Sequence, residues 1–178
     1  MILQGQRCAL RRWRTGDANA LVKHANNITV ARHLRDRFPH PYTNDDALSF
    51  LKSVSTVNPV SNFAIEVDDG PVGGLGFVVG SDVERFSAEV GYWLGESLWG
   101  RGIVTEALQL FTAYAFDELR LLRIYALPLA DNAASIRVLE KAGYEREGTL
   151  HSSCVKFGVP RDQALYAKIN HRWTQSAV

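Results

Sequence analysis

The chain has 178 residues, of which 46% are hydrophobic and 22% are charged. This composition is typical of one folded domain and excludes a disordered or fibrous chain. Twenty Lys and Arg residues against nineteen Asp and Glu residues give a net charge of +1, which does not favour a nucleic-acid partner. We interpret four arginines near the start as a solvated strand edge; they are Arg7, Arg11, Arg12 and Arg14.

The cysteines and the apolar pattern indicate a cytoplasmic protein. Cys8 and Cys154 are far apart in the sequence, so a disulfide framework is not expected. The first residues lack the apolar segment of a secretory signal. No stretch reaches the roughly 18 apolar residues that a membrane span needs, and we expect no membrane partner.

The first half of the chain predicts two helices and an antiparallel run of strands. Asp17 is a typical N-cap residue for a helix over 18–25. Thr43 and Asp46 resemble a capping box, and an apolar stripe over 47–54 follows them. The predicted strands lie at 8–13, 63–67, 71–79 and 88–94.

The second half alternates strands with helices. Helices are predicted at 105–119 and 132–142, and Gly143 ends the second one. The predicted strands lie at 123–129, 144–150 and 165–170. The order predicts an α+β fold, in which antiparallel strands precede a βαβ crossover.

A glycine-containing loop between a strand and a long helix is the most informative feature. Gly100 and Gly102 can free backbone N–H groups to converge on an anion at the helix N-terminus. Arg101 can add a bidentate phosphate contact. A tight turn without a ligand remains the alternative. A Walker loop is excluded because no Gly-Lys-Ser/Thr follows, and a Rossmann loop fits poorly because Thr105 replaces its third glycine.

Several motifs resemble the GNAT N-acetyltransferases. Residues 89–94, 99–102 and 105–107 are similar to the acetyl-CoA-binding motif of that family, and 131–144 are similar to its next block. Residues 38–42, Phe-Pro-His-Pro-Tyr, resemble the RimJ/RimL branch, which acetylates protein N-termini and some small amines. Residues Asp162 to Tyr166, near the end of the sequence, also resemble that branch. The resemblance therefore extends over nearly the whole sequence.

The resemblance implies a single GNAT domain over 1–178. Its expected fold has a mixed, mostly antiparallel central sheet flanked by helices. A cofactor cleft is expected where the fourth and fifth predicted strands, 88–94 and 123–129, splay apart. The co-substrate would be acetyl-CoA, and the histidine spacing predicts no metal site.

Site residues follow from the same resemblance. Trp93 and Leu94 would pair with the pantetheine arm, and Asn132 would hydrogen-bond it, although an asparagine here is also an ordinary N-cap. Ser135 would lie near the sulfur. The expected pyrophosphate site comprises Trp99, Gly100, Arg101, Gly102, Ile103, Val104 and Thr105.

The candidate catalytic groups are Glu89, as the base that takes the amine proton, and Ser135, as the proton donor to the thiolate. Glu89 could instead be a solvated residue or an arginine partner, and Ser135 a local helix serine. Two positions depart from the family pattern. Leu139 stands where many members have a tyrosine acid, and Cys154 stands where the RimL pattern has a glutamate.

The preferred acceptor is a protein or peptide N-terminal α-amine, because about a tenth of such amines are neutral at pH 7. Phe38, His40 and Tyr42 are expected to line the acceptor pocket. The alternatives are a small-molecule amine such as a drug or polyamine, a non-catalytic CoA-thioester-binding module, and a different nucleotide binder. The resemblance also leaves a homodimer open.

Overall fold

An eight-stranded sheet forms the middle layer of the protein. The computed structural model describes residues 2–68 and 70–174. The strands are β1 Ile2–Gln4, β2 Ala9–Arg12, β3 Asn62–Val67, β4 Gly70–Val79, β5 Ser87–Leu94, β6 Arg123–Ala126, β7 Glu145–Lys156 and β8 Val159–Ile169. Their spatial order is β1-β2-β3-β4-β5-β6-β8-β7. Every neighbouring pair is antiparallel except β5 and β6, which are parallel.

Helices cover both faces of the sheet. They are α1 Ala18–Ala25, α2 Ile28–Ala31, α3 Asn44–Val54, α4 Ile103–Asp117 and α5 Ala133–Lys141. One core cluster packs α4 and α5 on one face, with Phe63 and Phe111 fully buried. A second cluster packs α1 and α3 on the other face, around Trp13 and Leu51. The predicted α+β layout, with a mixed and mostly antiparallel sheet, is confirmed.

The element bounds depart from the sequence prediction at the two ends of the sheet. β1 and α2 were not predicted. β7 and β8 form a much longer hairpin than the strands expected at 144–150 and 165–170. The capping box before α3 is confirmed, because Thr43 Oγ1 accepts from Asp46 N at 3.2 Å and Asp46 Oδ2 accepts from Thr43 N at 2.8 Å.

The interpretation of the arginine cluster as a solvated edge is wrong for Arg11. Its side chain is buried and makes two hydrogen bonds to the Asp17 carboxylate, at 2.8 and 3.0 Å. It also pairs with Glu66 on β3. The prediction that the Asp17 side chain caps α1 is therefore wrong. Its carboxylate accepts instead from the Arg14 backbone N–H at 2.8 Å. A buried cation needs such partners, because desolvation of an unpaired charge is costly.

The separation of β5 from β6 shapes the functional region. The two strands pair only over three positions, at the start of β5. Beyond Ala126 the chain follows β8 instead, since Pro128 O accepts from Ala164 N at 3.0 Å and Ala130 N donates to Asp162 O at 2.9 Å. Residues 90–94 of β5 therefore pair with β4 on one side and face a cleft on the other. The expected splayed cleft is present, and in this chain it lies between β5 and β6.

Candidate functional site

A cavity of about 1150 Å³ opens along the cleft between β5 and β6. Its walls come from β5, the loop before α4, the start of α5, the segment after α2 and the β7–β8 hairpin. The residues that sequence analysis assigned to the cofactor or to the chemistry all line it. They are Glu89, Trp93, Leu94, Trp99, Gly100, Arg101, Gly102, Ile103, Val104, Thr105, Asn132 and Ser135.

The loop before α4 is closed by its own hydrogen bonds. The Trp99 indole Nε1 donates to Leu94 O at 2.8 Å, and Leu98 N donates to Gly95 O at 3.0 Å. Two glycines follow in the left-handed region, Gly100 and Gly102, both at φ +77°. This conformation favours glycine because a side chain would strain the backbone. Trp99 thus helps to fix the conformation of this loop.

The first turn of α4 offers uncapped backbone donors to the cavity. Gly102 occupies the N-cap position and has no side chain to accept from the first helical N–H groups. Those groups belong to Ile103, Val104 and Thr105, which all line the cavity. Arg101 lies beside them, and its guanidinium donates to Ser97 O at 3.2 Å. An anion at this point would meet both the helix dipole and free amides.

A pair of hydroxyl groups lies at the start of α5. The Tyr92 hydroxyl is 2.9 Å from Ser135 Oγ, and Ser135 N donates to Asn132 Oδ1 at 3.2 Å. Asn132 is therefore the N-cap residue of α5, and it also lines the cavity. Burial raises the pKa of Tyr92, so its hydroxyl stays protonated at neutral pH. Tyr92 was predicted only as a strand residue, and the contact with Ser135 spans 43 positions in the sequence.

Glu89 forms an ion pair with Arg35, which follows α2. The guanidinium contacts Glu89 Oε1, and the carboxylate side chain is 29% exposed. Both residues line the cavity. Glu89 is therefore the partner of an arginine, which was one of the alternatives for this residue. Glu89 also lines the cavity, as its candidate role as a base requires.

Further ion pairs form the wall opposite α4. Lys156 Nζ donates to Asp36 Oδ1 at 2.7 Å, which ties the segment after α2 to β7. Arg161 on β8 pairs with Asp131. Burial, and then the charge of nearby Arg32, lowers the pKa of His33, so its imidazole is neutral at pH 7. All six residues except Arg161 line the cavity.

The three residues expected to line the acceptor pocket are Phe38, His40 and Tyr42, and they differ in their surroundings. Tyr42 is buried in the second core cluster, and burial raises its pKa to about 12. Phe38 packs between Tyr42 and Trp93, at ring-centroid distances of 5.1 and 5.3 Å. His40 is exposed. None of the three is among the residues that line the cavity, whereas residues 29–30 and 32–36 are.

The two departures from the family pattern differ in their surroundings. Leu139 is fully buried in the first core cluster. Cys154 lines the cavity, with its thiol 3.7 Å from Arg161 O. Across residues 2–68 and 70–174, no three His, Cys, Asp or Glu side chains cluster as a metal site would require. In the same part of the chain, no helix combines the length and apolar character needed to span a membrane.

The known proteins to which this chain is similar are acetyltransferases. The family model described as "Acetyltransferase (GNAT) domain" matches residues 7–145. An uncharacterized N-acetyltransferase, p20 of Bacillus licheniformis, is 30% identical over 154 residues, which cover 83% of this chain and 84% of that protein. A putative ribosomal N-acetyltransferase, YdaF of Bacillus subtilis, is 30% identical over 105 residues, or 59% of this chain and 57% of that protein.

Two solved structures share the fold. Mycobacterium smegmatis RimJ, in complex with CoA-disulfide, is 26% identical with a TM-score of 0.83, covering 95% of this chain and 85% of that one. RimL, a ribosomal alpha-N-protein acetyltransferase in complex with coenzyme A, is 21% identical with a TM-score of 0.84 and coverage of 95% and 98%. At the latter identity the likeness concerns the fold alone.

Proposed function

This chain belongs to the GNAT acetyltransferase family, and from that premise we propose that it acetylates the α-amine of a protein or peptide N-terminus. The acetyl donor is acetyl-CoA. The observation that carries the site assignment is one cavity that joins the unpaired edge of β5, the uncapped start of α4 and the Ser135 hydroxyl. We place the proposed reaction in the cytoplasm, where Cys8 and Cys154 would remain the free thiols that the structure has.

The residues of the cavity fit acetyl-CoA, which supplies an activated acetyl thioester when it is bound. The first-turn amides of α4 and the left-handed Gly100 and Gly102 would hold the pyrophosphate. A Cβ on Gly100 would meet no atom within 4 Å, so open space lies above this loop. The edge of β5 that faces the cleft, at Trp93 and Leu94, would pair with the pantetheine amides, as a strand pairs with an extended peptide. Leu94 O already accepts from Trp99 Nε1, and a carbonyl oxygen has a second lone pair for such a contact.

Two groups of the chain would exchange protons with the reactants, and a third would resupply one of them. Ser135 Oγ would donate to the leaving sulfur, and the Tyr92 hydroxyl at 2.9 Å would share or replace that proton. Glu89 would take the proton of the acceptor amine at Oε2, since Arg35 contacts Oε1. The contact with Arg35 also fixes the orientation of the carboxylate.

The charges around the cavity favour an α-amine over a polycation. We take the cavity wall opposite α4 as the side where the acceptor amine would bind. This wall carries three cations and three carboxylates: Arg32, Arg35, Lys156, Asp36, Glu89 and Asp131. The imidazole of His33, on the same wall, is neutral. Each carboxylate there already pairs with a cation. A polyamine would therefore find no unpaired carboxylate on this wall of the cavity, whereas one α-amine needs only Glu89 Oε2, the oxygen that Arg35 does not contact. An α-amine also needs less help in losing a proton, because its pKa is about 7.7–8.0 and that of lysine is about 10.4.

An acceptor comparison tests the proposal. The full chain is given acetyl-CoA and one of four amines: a peptide with a free N-terminus, an N-acetylated peptide with one lysine, spermidine, or an aminoglycoside. We expect the free N-terminal peptide to have the highest kcat/KM, read by mass spectrometry. Its kcat/KM should rise with pH, pass its midpoint near the amine pKa of about 7.7–8.0, and level off above about pH 9, where the amine is mostly neutral. Preference for spermidine or the aminoglycoside would contradict the proposed acceptor.

Variants test the two proton carriers. Ser135→Ala and Glu89→Gln are each expected to lower kcat by roughly 100-fold, the usual effect of removing a general acid or base. Neither should change the Kd for acetyl-CoA by much. The matched controls, Ser53→Ala on the exposed face of α3 and Glu84→Gln on an exposed turn, should keep full activity. Binding of acetyl-CoA without acetylation of any of the four amines would favour the non-catalytic module instead.

A further inference from the structure

Glu106 fastens the N-terminal turn of the chain to the start of α4. Its carboxylate accepts from three consecutive backbone N–H groups, those of Gln6 at 3.1 Å, Arg7 at 2.6 Å and Cys8 at 3.0 Å. Burial would raise the pKa of Glu106, but these donors outweigh it and the pKa is lowered. The carboxylate is therefore charged at neutral pH, and it holds residues 6–8 against the helix.

Gly5 makes this close approach feasible. A Cβ at Gly5 would lie 2.8 Å from the Glu106 carboxylate and 2.9 Å from Cys8 O, both shorter than real contacts allow. Gly5 N also donates to Cys8 O at 2.9 Å, which closes the turn. The turn, comprising residues 5–8, is thus shaped for contact with α4.

The turn directs Arg7 to the loop that precedes α4. The Arg7 Nε lies 3.6 Å from the position that a Cβ on Gly102 would take. The Arg7 Nη1 is 3.7 Å from Glu106 Oε1, beyond hydrogen-bond distance. Within residues 2–68 and 70–174, the guanidinium donates no hydrogen bond, and the side chain is 58% exposed at the cavity wall. Its donors are therefore available to an anion beside Gly102.

We infer that Arg7 binds a phosphate of the CoA nucleotide and so selects CoA over shorter pantetheine thioesters. The inference rests on the proposed function, which places the pyrophosphate on the loop at Gly100 and Gly102. A guanidinium presents paired N–H donors that match phosphate oxygens. Arg101, the other arginine of this loop, already donates to Ser97 O. Arg7 thus adds a cation from the opposite end of the sequence, and Glu106 acts as its positioning residue.

Binding titrations of the full chain test this inference with three ligands: CoA, dephospho-CoA without the 3′-phosphate, and pantetheine without any phosphate. Arg7→Gln is expected to weaken CoA binding about tenfold, as the loss of one charge-assisted hydrogen bond predicts. Its affinity for pantetheine should equal that of the wild type. Arg14→Gln is the matched control, because Arg14 is an exposed arginine of the same segment outside the cavity, and it should leave all three affinities unchanged.

Dephospho-CoA identifies the phosphate. If Arg7→Gln weakens the binding of dephospho-CoA as much as that of CoA, Arg7 contacts the pyrophosphate. If Arg7→Gln binds dephospho-CoA as tightly as the wild type does, Arg7 contacts the 3′-phosphate. Both results support the inference. Unchanged CoA binding by Arg7→Gln, or equal weakening for pantetheine, would overturn it. Failure of the wild-type protein to bind CoA would overturn the proposed function instead.

A double-mutant cycle tests the part played by Glu106. An amide cannot accept from three backbone N–H groups as a carboxylate does, so Glu106→Gln should release the turn and weaken CoA binding. Combined with Arg7→Gln, it should add little, because both changes remove the same contact. Fully additive losses would show that Glu106 does not present Arg7. Thermal melting of each variant checks that it is folded.

Discussion

The buried guanidinium of Arg11 shows how one residue joins distant parts of this fold. It lies on β2 and pairs with Asp17, just before α1, and with Glu66 on β3. The side chains of Arg11 and Asp17 are only 3% and 8% exposed. At that depth the charges depend on each other, since removal of one partner leaves the other without solvent or a counter-charge.

We expect Asp17→Ala to lower the free energy of unfolding by about 3 kcal/mol, as the breaking of a buried ion pair does. Loss of the hydrogen bond from the Arg14 backbone adds to this effect. Denaturation in urea measures the change. Asp117→Ala, at an exposed aspartate of α4, should alter stability by no more than about 0.5 kcal/mol. Similar small effects for both variants would show that the Arg11 cluster adds little to stability.

Single residues were predicted from the sequence where their role depends on nearby positions. The capping box at Thr43 and Asp46 and the N-cap at Asn132 belong to this kind. Contacts between residues that are far apart in the sequence have no local motif from which they could be predicted. Glu66 is 55 positions from Arg11, and an arginine in a strand is equally compatible with solvent. The burial of Tyr42 was missed for the same reason, because its neighbours come from α1 and α3.

At the scale of elements, the start of α4 places a left-handed glycine at the proposed pyrophosphate site. Gly102 has a φ of +77°, and a Cβ there would make only an ordinary contact with Arg7. The cost of Gly102→Ala therefore comes from the backbone, and we expect about 1 kcal/mol of lost stability. Weaker CoA binding should accompany it, because the first-turn amides would shift.

Gly16→Ala is the control for that prediction. Gly16 has no atom within 4 Å of its Cβ position and lies outside the left-handed region. Its stability should change by no more than about 0.5 kcal/mol. Thermal melting and titration with CoA measure both properties. If Gly102→Ala matched Gly16→Ala in both, the left-handed conformation would not matter for the site.

Elements were predicted well where they are long, periodic and half-buried, as α4 is. α2 has four residues and no helical period to detect. β7 was predicted too short because it is an edge strand, largely exposed, and its register shifts between Leu150 and Cys154. Because residues 151–153 are polar, the sequence pattern predicted the strand to end at residue 150, although β7 continues to Lys156 and its second half lines the cavity.

At the scale of the whole molecule, the cleft between β5 and β6 is an interruption of the sheet. A ligand that pairs with the free edge of β5 would restore contacts on both sides of that strand. At 100 times the Kd, a ligand that binds only the folded chain adds about 2.7 kcal/mol of stability. For a chain of this size that corresponds to a rise in Tm of about 5–10 °C.

Acetyl-CoA at that concentration is therefore expected to raise the Tm by about this amount, as measured by calorimetry. NAD and ATP should cause no comparable rise, because neither carries a pantetheine arm for the strand edge. An equal rise with NAD or ATP would favour a different nucleotide as the ligand of the loop.

The two thiols differ in exposure, and this difference allows one of them to be labelled selectively. Cys8 is buried, and burial, with the nearby charge of Glu106, raises its pKa to about 12. Cys154 is half-buried and borders the cavity. Because the sequence has only two cysteines, a maleimide fluorophore added to the unmodified protein would attach at Cys154. The dye would report ligand entry as a change in emission, without any engineered labelling site.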